Sequence, residues 1–301
     1  MYVRMTVVFA VLLAGCDASV PVAKEAPLNW VPAQVVAEGL HLQTFESAVA
    51  GQRVGYHVLL PPGYASSPDA RYPVVYWLHG SGGGNEGLPF LARYFREAML
   101  RSAMPHALVV FPYGFANGMW IDARDGSAPV ESMFIRDLLP HIDATYRTVA
   151  EREGRILEGY SMGGYGVGRL GFLHANLFGG LSMWGAGPLQ TDFTIGPLSM
   201  ESTRRLVLQR VYGNSLAWFE QQSPWRIAER IPLPEGTPFR ILIGTADETY
   251  PYNRAYHLHL VTLKILHTYT ELPGIGHNAI AMAQAMGDDA FGFYWEVFGG
   301  G

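Results

Sequence analysis

The sequence predicts an α/β fold, a mostly parallel central sheet with helices on both faces. Three observations carry that expectation. Val74-Val75-Tyr76-Trp77-Leu78 and Leu108-Val109-Val110-Phe111 are continuous apolar runs of strand length, the pattern of strands buried on both sides. Such runs alternate with segments of helical period, and that alternation produces parallel strands joined by right-handed crossovers. Finally, Gly159-Tyr160-Ser161-Met162-Gly163 reads G-x-S-x-G between strand-like Arg155–Glu158 and the helical pattern of Val167–Leu177. Strand, tight turn and helix together make this motif a nucleophile elbow, which lifts a serine hydroxyl above the sheet edge.

Taken in order, the chain begins with one positive charge, Arg4, and an apolar run from Thr6 to Leu13 that is too short to cross a bilayer and ends in small residues. Leu13-Ala14-Gly15-Cys16 resembles a bacterial lipobox, with the only cysteine of the chain at the position that would be lipidated. This predicts a signal peptide over 1–15, a tether over 16–35 that is rich in proline, alanine and valine, and a catalytic domain over 36–299. The protein is then exported, and it meets the membrane only through Cys16. Leu40–Phe45 and Val54–Leu60, separated by Ala50-Gly51-Gln52, predict an antiparallel hairpin at the sheet edge. Helices are expected at Leu88–Leu100 and at Val130–Tyr146, the latter distorted at Pro140, which cannot donate a backbone bond. Leu181–Met183, Arg240–Ile243 and Thr268–Leu272 complete the strands. A helix near Tyr252–Leu266 separates the last two, and a closing helix spans Ile280–Phe298. Pro188–Pro238 is the one long irregular stretch, with helices expected near Ser202–Arg210 and Ser215–Gln222 as a lid or wall.

Composition narrows the function. A chain of 301 residues, 49% hydrophobic and 16% charged, can bury a large core and is not disordered. The net charge of −5 without basic runs argues against a nucleic-acid partner, and a single cysteine excludes an intramolecular disulfide.

A serine hydroxyl needs an adjacent base, and the base needs an acid to orient it. Ile241-Leu242-Ile243-Gly244-Thr245-Ala246-Asp247 places an aspartate just after a strand, and Glu271-Leu272-Pro273-Gly274-Ile275-Gly276-His277 places a histidine after the next. The order Ser161, Asp247, His277 is that of the α/β-hydrolase fold. Glu248 is a neighbouring acid that ranks below Asp247. His79-Gly80-Ser81-Gly82-Gly83-Gly84 follows the third strand and lacks the lysine of a phosphate loop. It is a candidate oxyanion loop, with the backbone N–H groups of Ser81 and Met162 as donors to the developing negative charge.

These motifs resemble the esterase D, feruloyl esterase and enterochelin esterase group of α/β-hydrolases. The resemblance rests on Tyr76–Gly83, on Leu138-Leu139-Pro140-His141-Ile142-Asp143-Ala144-Thr145-Tyr146, on Gly159–Gly164 and on Leu272-Pro273-Gly274 before His277. It implies a serine carboxylic-ester hydrolase acting on a small-molecule ester, with no cofactor and no metal. Ser161, Asp247 and His277 would form the triad, with Ser81 and Met162 as oxyanion donors. His141 and Asp143 belong to the structural run. Asn278 and Ala279 depart from the Asp and aromatic that many members carry after the catalytic histidine. Trp120, in Asn117-Gly118-Met119-Trp120 after a strand, is a substrate-pocket candidate, with a core tryptophan as the competing reading. A peptidase or acyltransferase of the same fold is the alternative activity, and a non-catalytic lipid-anchored binding protein the alternative class.

Overall fold

The computed structural model describes residues 28–85, 87–196 and 201–299. The expected signal peptide, Cys16 and the first part of the tether lie outside the described residues. Eight strands form one sheet in the order β1-β2-β4-β3-β5-β6-β7-β8. They are β1 (Leu40–Ser47), β2 (Gln52–Leu59), β3 (Val74–Leu78), β4 (Leu108–Pro112), β5 (Arg155–Tyr160), β6 (Gly180–Trp184), β7 (Phe239–Gly244) and β8 (Thr268–Leu272). The pairs β1–β2 and β2–β4 are antiparallel and all others parallel, so the hairpin forms the edge as expected. Strand period explains the two cores. Val74, Tyr76 and Leu78 face one core, while Val75 and Trp77 face the other. Side chains alternate between opposite faces, so a strand with helices on both sides must be apolar at every position.

Helices α1 (Leu88–Leu100), α2 (Val130–Met133), α3 (Leu139–Thr145) and α4 (Met162–Leu173) serve the crossovers around the central strands. Between α2 and α3 lies a wide π turn, Phe134–Leu138. Pro140 cannot donate to the carbonyl four residues back, which accounts for the expected distortion and its place. The turn also has a use. Asp137 Oδ2 accepts from Ser47 Oγ at 2.6 Å and Val49 N–H at 2.8 Å, fixing the hairpin loop.

After β6 come α5 (Glu201–Arg210), α6 (Leu216–Gln222) and α7 (Pro224–Ala228), followed by α8 (Tyr250–Thr262), α9 (Ala279–Met286) and α10 (Gly292–Phe298). Three expectations need correction. Helix α4 starts at Met162 rather than Val167, because its glycine-rich first turns carry no apolar period to read. The closing helix is broken by a 3₁₀ segment, Gly287–Phe291, that opens with Gly287 at φ +53°, a conformation that ends the preceding α-helical turn. The tether does not extend to residue 35. Trp30 is 2% exposed, its ring meets Phe115 at 4.5 Å, its carbonyl accepts from Gly55 N–H, and Val35 N–H donates to His57. The globular domain therefore includes Trp30, ahead of the expected boundary at residue 36.

A buried polar network ties the central strands together. Glu158 on β5 is fully buried, and its Oε1 accepts from Ser182 Oγ, Trp184 Nε1 and Arg240 Nη2 at 2.7, 2.7 and 2.8 Å. Its Oε2 accepts from Tyr294 OH at 2.6 Å. Arg240 also donates to Ala290 O and lies 4.2 Å from the Phe293 ring centroid. The network spans β5, β6, β7 and α10, just beneath the elbow. Removing one partner of such a pair strands the other charge in a medium of low polarity. Glu158→Ala is expected to cost about 3–5 kcal/mol in urea denaturation, with a Glu158→Met/Arg240→Met double variant closer to wild type than either single. A single-variant cost below about 1 kcal/mol would show that the network does not hold the strands.

Candidate active site

Ser161 sits between β5 and α4 with φ +56° and ψ −119°, a strained conformation for a residue with a Cβ. The turn is fixed from several sides. Ser161 N–H donates to Trp184 O at 2.9 Å, and its own carbonyl accepts from Tyr165 and Gly187. Gly163 has to be glycine, since a Cβ there would stand 2.0 Å from the Leu78 carbonyl oxygen. The elbow therefore requires β3 and α4 to meet backbone to backbone.

The loops after β7 and β8 deliver the other two residues. Thr245 N–H donates to Leu272 O and Ala246 N–H to Ile275 O, while Gly274 N–H donates to Thr245 Oγ1, so the two loops are stitched together. His277 Nδ1 lies 2.8 Å from Asp247 Oδ2, and His277 Nε2 lies 2.9 Å from Ser161 Oγ. An ionised carboxylate only accepts, so Nδ1 carries the proton and Nε2 presents its lone pair to the serine hydroxyl, which donates. The other carboxylate oxygen, Oδ1, accepts from Thr249 N–H at 2.7 Å and Thr249 Oγ1 at 2.8 Å. Asp247 thus both orients the histidine and caps the turn into α8. Burial alone would raise its carboxyl. The hydrogen bond and charge of His277, together with the two Thr249 donors, outweigh burial and hold it below the usual aspartate range. Tyr160 covers the imidazole, with ring centroids 4.9 Å apart. Asn278 caps α9 by accepting from Ala281 N–H at 2.9 Å.

The glycine-rich loop after β3 is held by His79. Its Nδ1 donates to Gly80 O at 2.7 Å and its Nε2 accepts from Gly114 N–H at 3.0 Å, which requires the neutral ring. Burial pushes the His79 imidazole down to about 4, against a smaller opposing effect of the Gly80 carbonyl. Gly80 lies against Ser161, and Ser81 is exposed at the lip of the cavity that also holds Ser161 and His277. Met162 opens α4, and its N–H is among the helix-terminal donors without an intrahelical acceptor.

Trp120 is not in the pocket. It is fully buried, its Nε1 donates to His79 O at 3.1 Å, and its ring meets that of His79 at 5.0 Å. The expectation that it walls the substrate site is corrected: it supports the glycine-rich loop from below. The contacts of Thr249 and His79 are not among the sequence expectations. An Asp-x-Thr pattern opening a helix is the signature of a side-chain-capped turn and could have revealed Thr249. Glu248 lines the small cavity beside Ser161, and the acid partner of His277 is Asp247.

An eight-stranded, mostly parallel sheet with serine, aspartate and histidine delivered from its strand ends defines an α/β-hydrolase. The chain belongs to the family described as "Putative esterase", whose model matches residues 47–255. An esterase from Mycobacterium tuberculosis is 35% identical over 126 residues, which is 41% of this chain and 27% of that protein's length. The chain thus spans about a quarter of that relative. Among solved structures, a ferulic acid esterase superposes with a TM-score of 0.69 at 19% identity, covering 86% of this chain and 98% of the other. An S-formylglutathione hydrolase from Agrobacterium tumefaciens does so with 0.70 at 18%, covering 88% and 98%. These two superpositions bear on the fold alone.

The buried neutral His79 makes stability depend on pH. Its folded-state value is about 4 against 6.5 unfolded, so the unfolded chain binds the extra proton between those limits. The contribution is full above about pH 6.5 and is lost as pH falls toward 4, about 3 kcal/mol in all. Urea denaturation of wild type and His79→Asn is therefore expected to show the stability gap shrinking by about that amount between pH 7.5 and 4. Parallel pH profiles would refute a buried neutral His79.

Proposed function

We propose that the protein is a serine carboxylic-ester hydrolase that works through an acyl-enzyme on Ser161. The observation that carries this reading is the continuous hydrogen-bond chain from Ser161 Oγ through His277 to Asp247. In acylation, His277 Nε2 takes the Ser161 proton while Oγ bonds to the ester carbon. The carbonyl oxygen becomes negative and is stabilised by the N–H groups of Ser81 and Met162. When the tetrahedral intermediate collapses, the carbon–alkoxy bond breaks and His277 gives its proton to the departing oxygen. Water then repeats the sequence, with His277 as base, and releases the acid and free Ser161. Asp247 keeps the imidazole in the required tautomer and stabilises its charged form. The substrate is a small-molecule ester, and the mechanism calls on no cofactor.

Ser161→Ala is expected to leave a folded protein with only residual ester hydrolysis, since triad members act as a unit. Asp247→Asn is expected to lower kcat by about 10⁴-fold through the wrong histidine tautomer, and Glu248→Gln by far less. Near-normal turnover by folded Ser161→Ala, measured with a p-nitrophenyl ester, would remove the assignment. A larger loss in Glu248→Gln than in Asp247→Asn would exchange the two acids.

We also propose that the chain is exported and lipid-anchored through Cys16, on the strength of the apolar run from Thr6 to Leu13 and the lipobox resemblance. Each buried CH₂ of an acyl chain contributes about 0.8 kcal/mol, so two or more chains hold a soluble domain at a membrane. Fractionation of wild type and Cys16→Ser, with mass spectrometry of the mature N-terminus, tests this. The variant is expected in the soluble fraction with undiminished specific activity. A soluble wild type with unmodified Cys16 would identify an ordinary secreted protein.

A further inference from the structure

Two spaces of very different size meet at the catalytic centre. The first is a cavity of about 60 Å³ that touches Ser161 and is lined mainly by apolar side chains, Met119, Pro188, Phe193 and Val207, with Arg204 and Glu248 at its wall. The second is a groove of about 720 Å³ on the far side of His277, between the glycine-rich loop and the start of α9. Tyr113, Tyr160, Asn278 and Ile280 line it, and none of its described lining residues is an aspartate, glutamate, lysine or arginine. Both spaces share Ser81 and His277, so one substrate can occupy them together.

Resting on the serine-esterase reading above, we infer that the enzyme takes esters of short acyl groups with bulky, uncharged, ring-bearing alcohols. The chemistry assigns each half. The acyl group stays bonded to Ser161 Oγ after the alcohol has left, so it belongs in the space that touches Ser161. The alcohol oxygen receives its proton from His277 Nε2, so its substituent extends along the His277 side, into the groove. Size then sets the classes. An apolar cavity of about 150 Å³ is what it takes to hold benzene. A space of 60 Å³ therefore suits an acetyl or propionyl group and favours it over an aromatic acid or a long chain. The groove, at 720 Å³, lies in the usual range of about 300–1,000 Å³ for pockets that enclose drug-sized ligands. Tyrosine rings with a few amide and imidazole groups suit a neutral ring better than an anion. The prediction runs against the aromatic acid named for one structural neighbour, whose likeness is to the fold alone.

The test varies the two halves separately. With p-nitrophenol as the constant alcohol, kcat/KM is expected to fall at least about tenfold from acetate to octanoate and from acetate to benzoate. With acetate as the constant acid, 2-phenylethyl acetate is expected to exceed ethyl acetate by about tenfold, the order of magnitude of burying one phenyl ring. Two variants read the walls as ratios, which a general loss of folded protein does not move. Val207→Ala is expected to raise the butyrate-to-acetate ratio several-fold, and Ile280→Trp to lower the phenylethyl-to-ethyl ratio. A preference for octanoate or benzoate, or variant ratios equal to wild type, overturns the partition. Fluorophosphonate labelling that is lost in Ser161→Ala would in that event leave the serine-esterase reading standing. Absence of both labelling and hydrolysis removes that reading and the partition with it.

Discussion

The structure depends on one strained turn. Ser161 is held at φ +56°, a conformation that costs about 1–3 kcal/mol and survives only where the surroundings over-determine it. Here they do so through backbone contacts that side chains would spoil. Gly163 presses against the carbonyl of Leu78, which fixes the distance between β3 and α4. The Trp184 carbonyl holds the Ser161 N–H, which fixes β6 against the elbow. Once β3, β5 and β6 are set, the loops at their ends are set too. The glycine-rich loop leaves β3 beside Ser161, and the loops after β7 and β8 arrive with Asp247 and His277. The geometry that joins Ser161, His277 and Asp247 is in this sense a property of the sheet order rather than of any single loop.

Much of this was legible in the chain because local signals and tertiary demands agree. β3, α1 and β8 match their expected limits: β3 is an apolar run, α1 has helical apolar spacing, and β8 is rich in strand-forming Thr and Tyr. That Ser161, Asp247 and His277 come together was legible because each follows a strand in the order that the fold requires. The failures are equally physical. Trp120 stands at a position where a side chain could turn either way, and what turns it inward is the absence of side chains elsewhere. A Cβ on Gly166 would lie 2.8 Å from the Trp120 ring. No local pattern announces that two segments 46 residues apart share one space. Trp30 was hidden inside a composition that resembles a linker, because a single large ring can dock a segment that has no periodicity. The closing helix looked continuous because its apolar spacing continues through the break at Gly287.

Polar side chains decide whether the long segment after β6 behaves as a wall or a lid. Arg169 on α4 is 1% exposed, and its guanidinium makes four hydrogen bonds. It donates to Trp120 O at 3.0 Å, to Glu131 Oε2 at 3.1 Å, and to both the carbonyl and the side chain of Gln222 at 2.8 and 2.9 Å. Tyr165, one turn from the nucleophile on the same helix, meets Tyr212 OH at 3.0 Å. The elbow helix therefore grips both the loop that supports the glycine-rich segment and the end of α6. Freeing α6 would leave a buried guanidinium short of two acceptors, and α7 follows α6 after one residue, Ser223, whose hydroxyl caps it. Helices α6 and α7 are consequently part of the wall. What remains between this anchored pair and the nucleophile is α5, which contributes Val207 to the small cavity and is joined to Tyr212 through a single turn. Val207 hangs from α5, and α5 is tied through Tyr212 to Tyr165 on α4, the helix that carries Ser161 at its tip. A change in acyl preference is for that reason more readily made by trimming a side chain on α5 than by moving a segment.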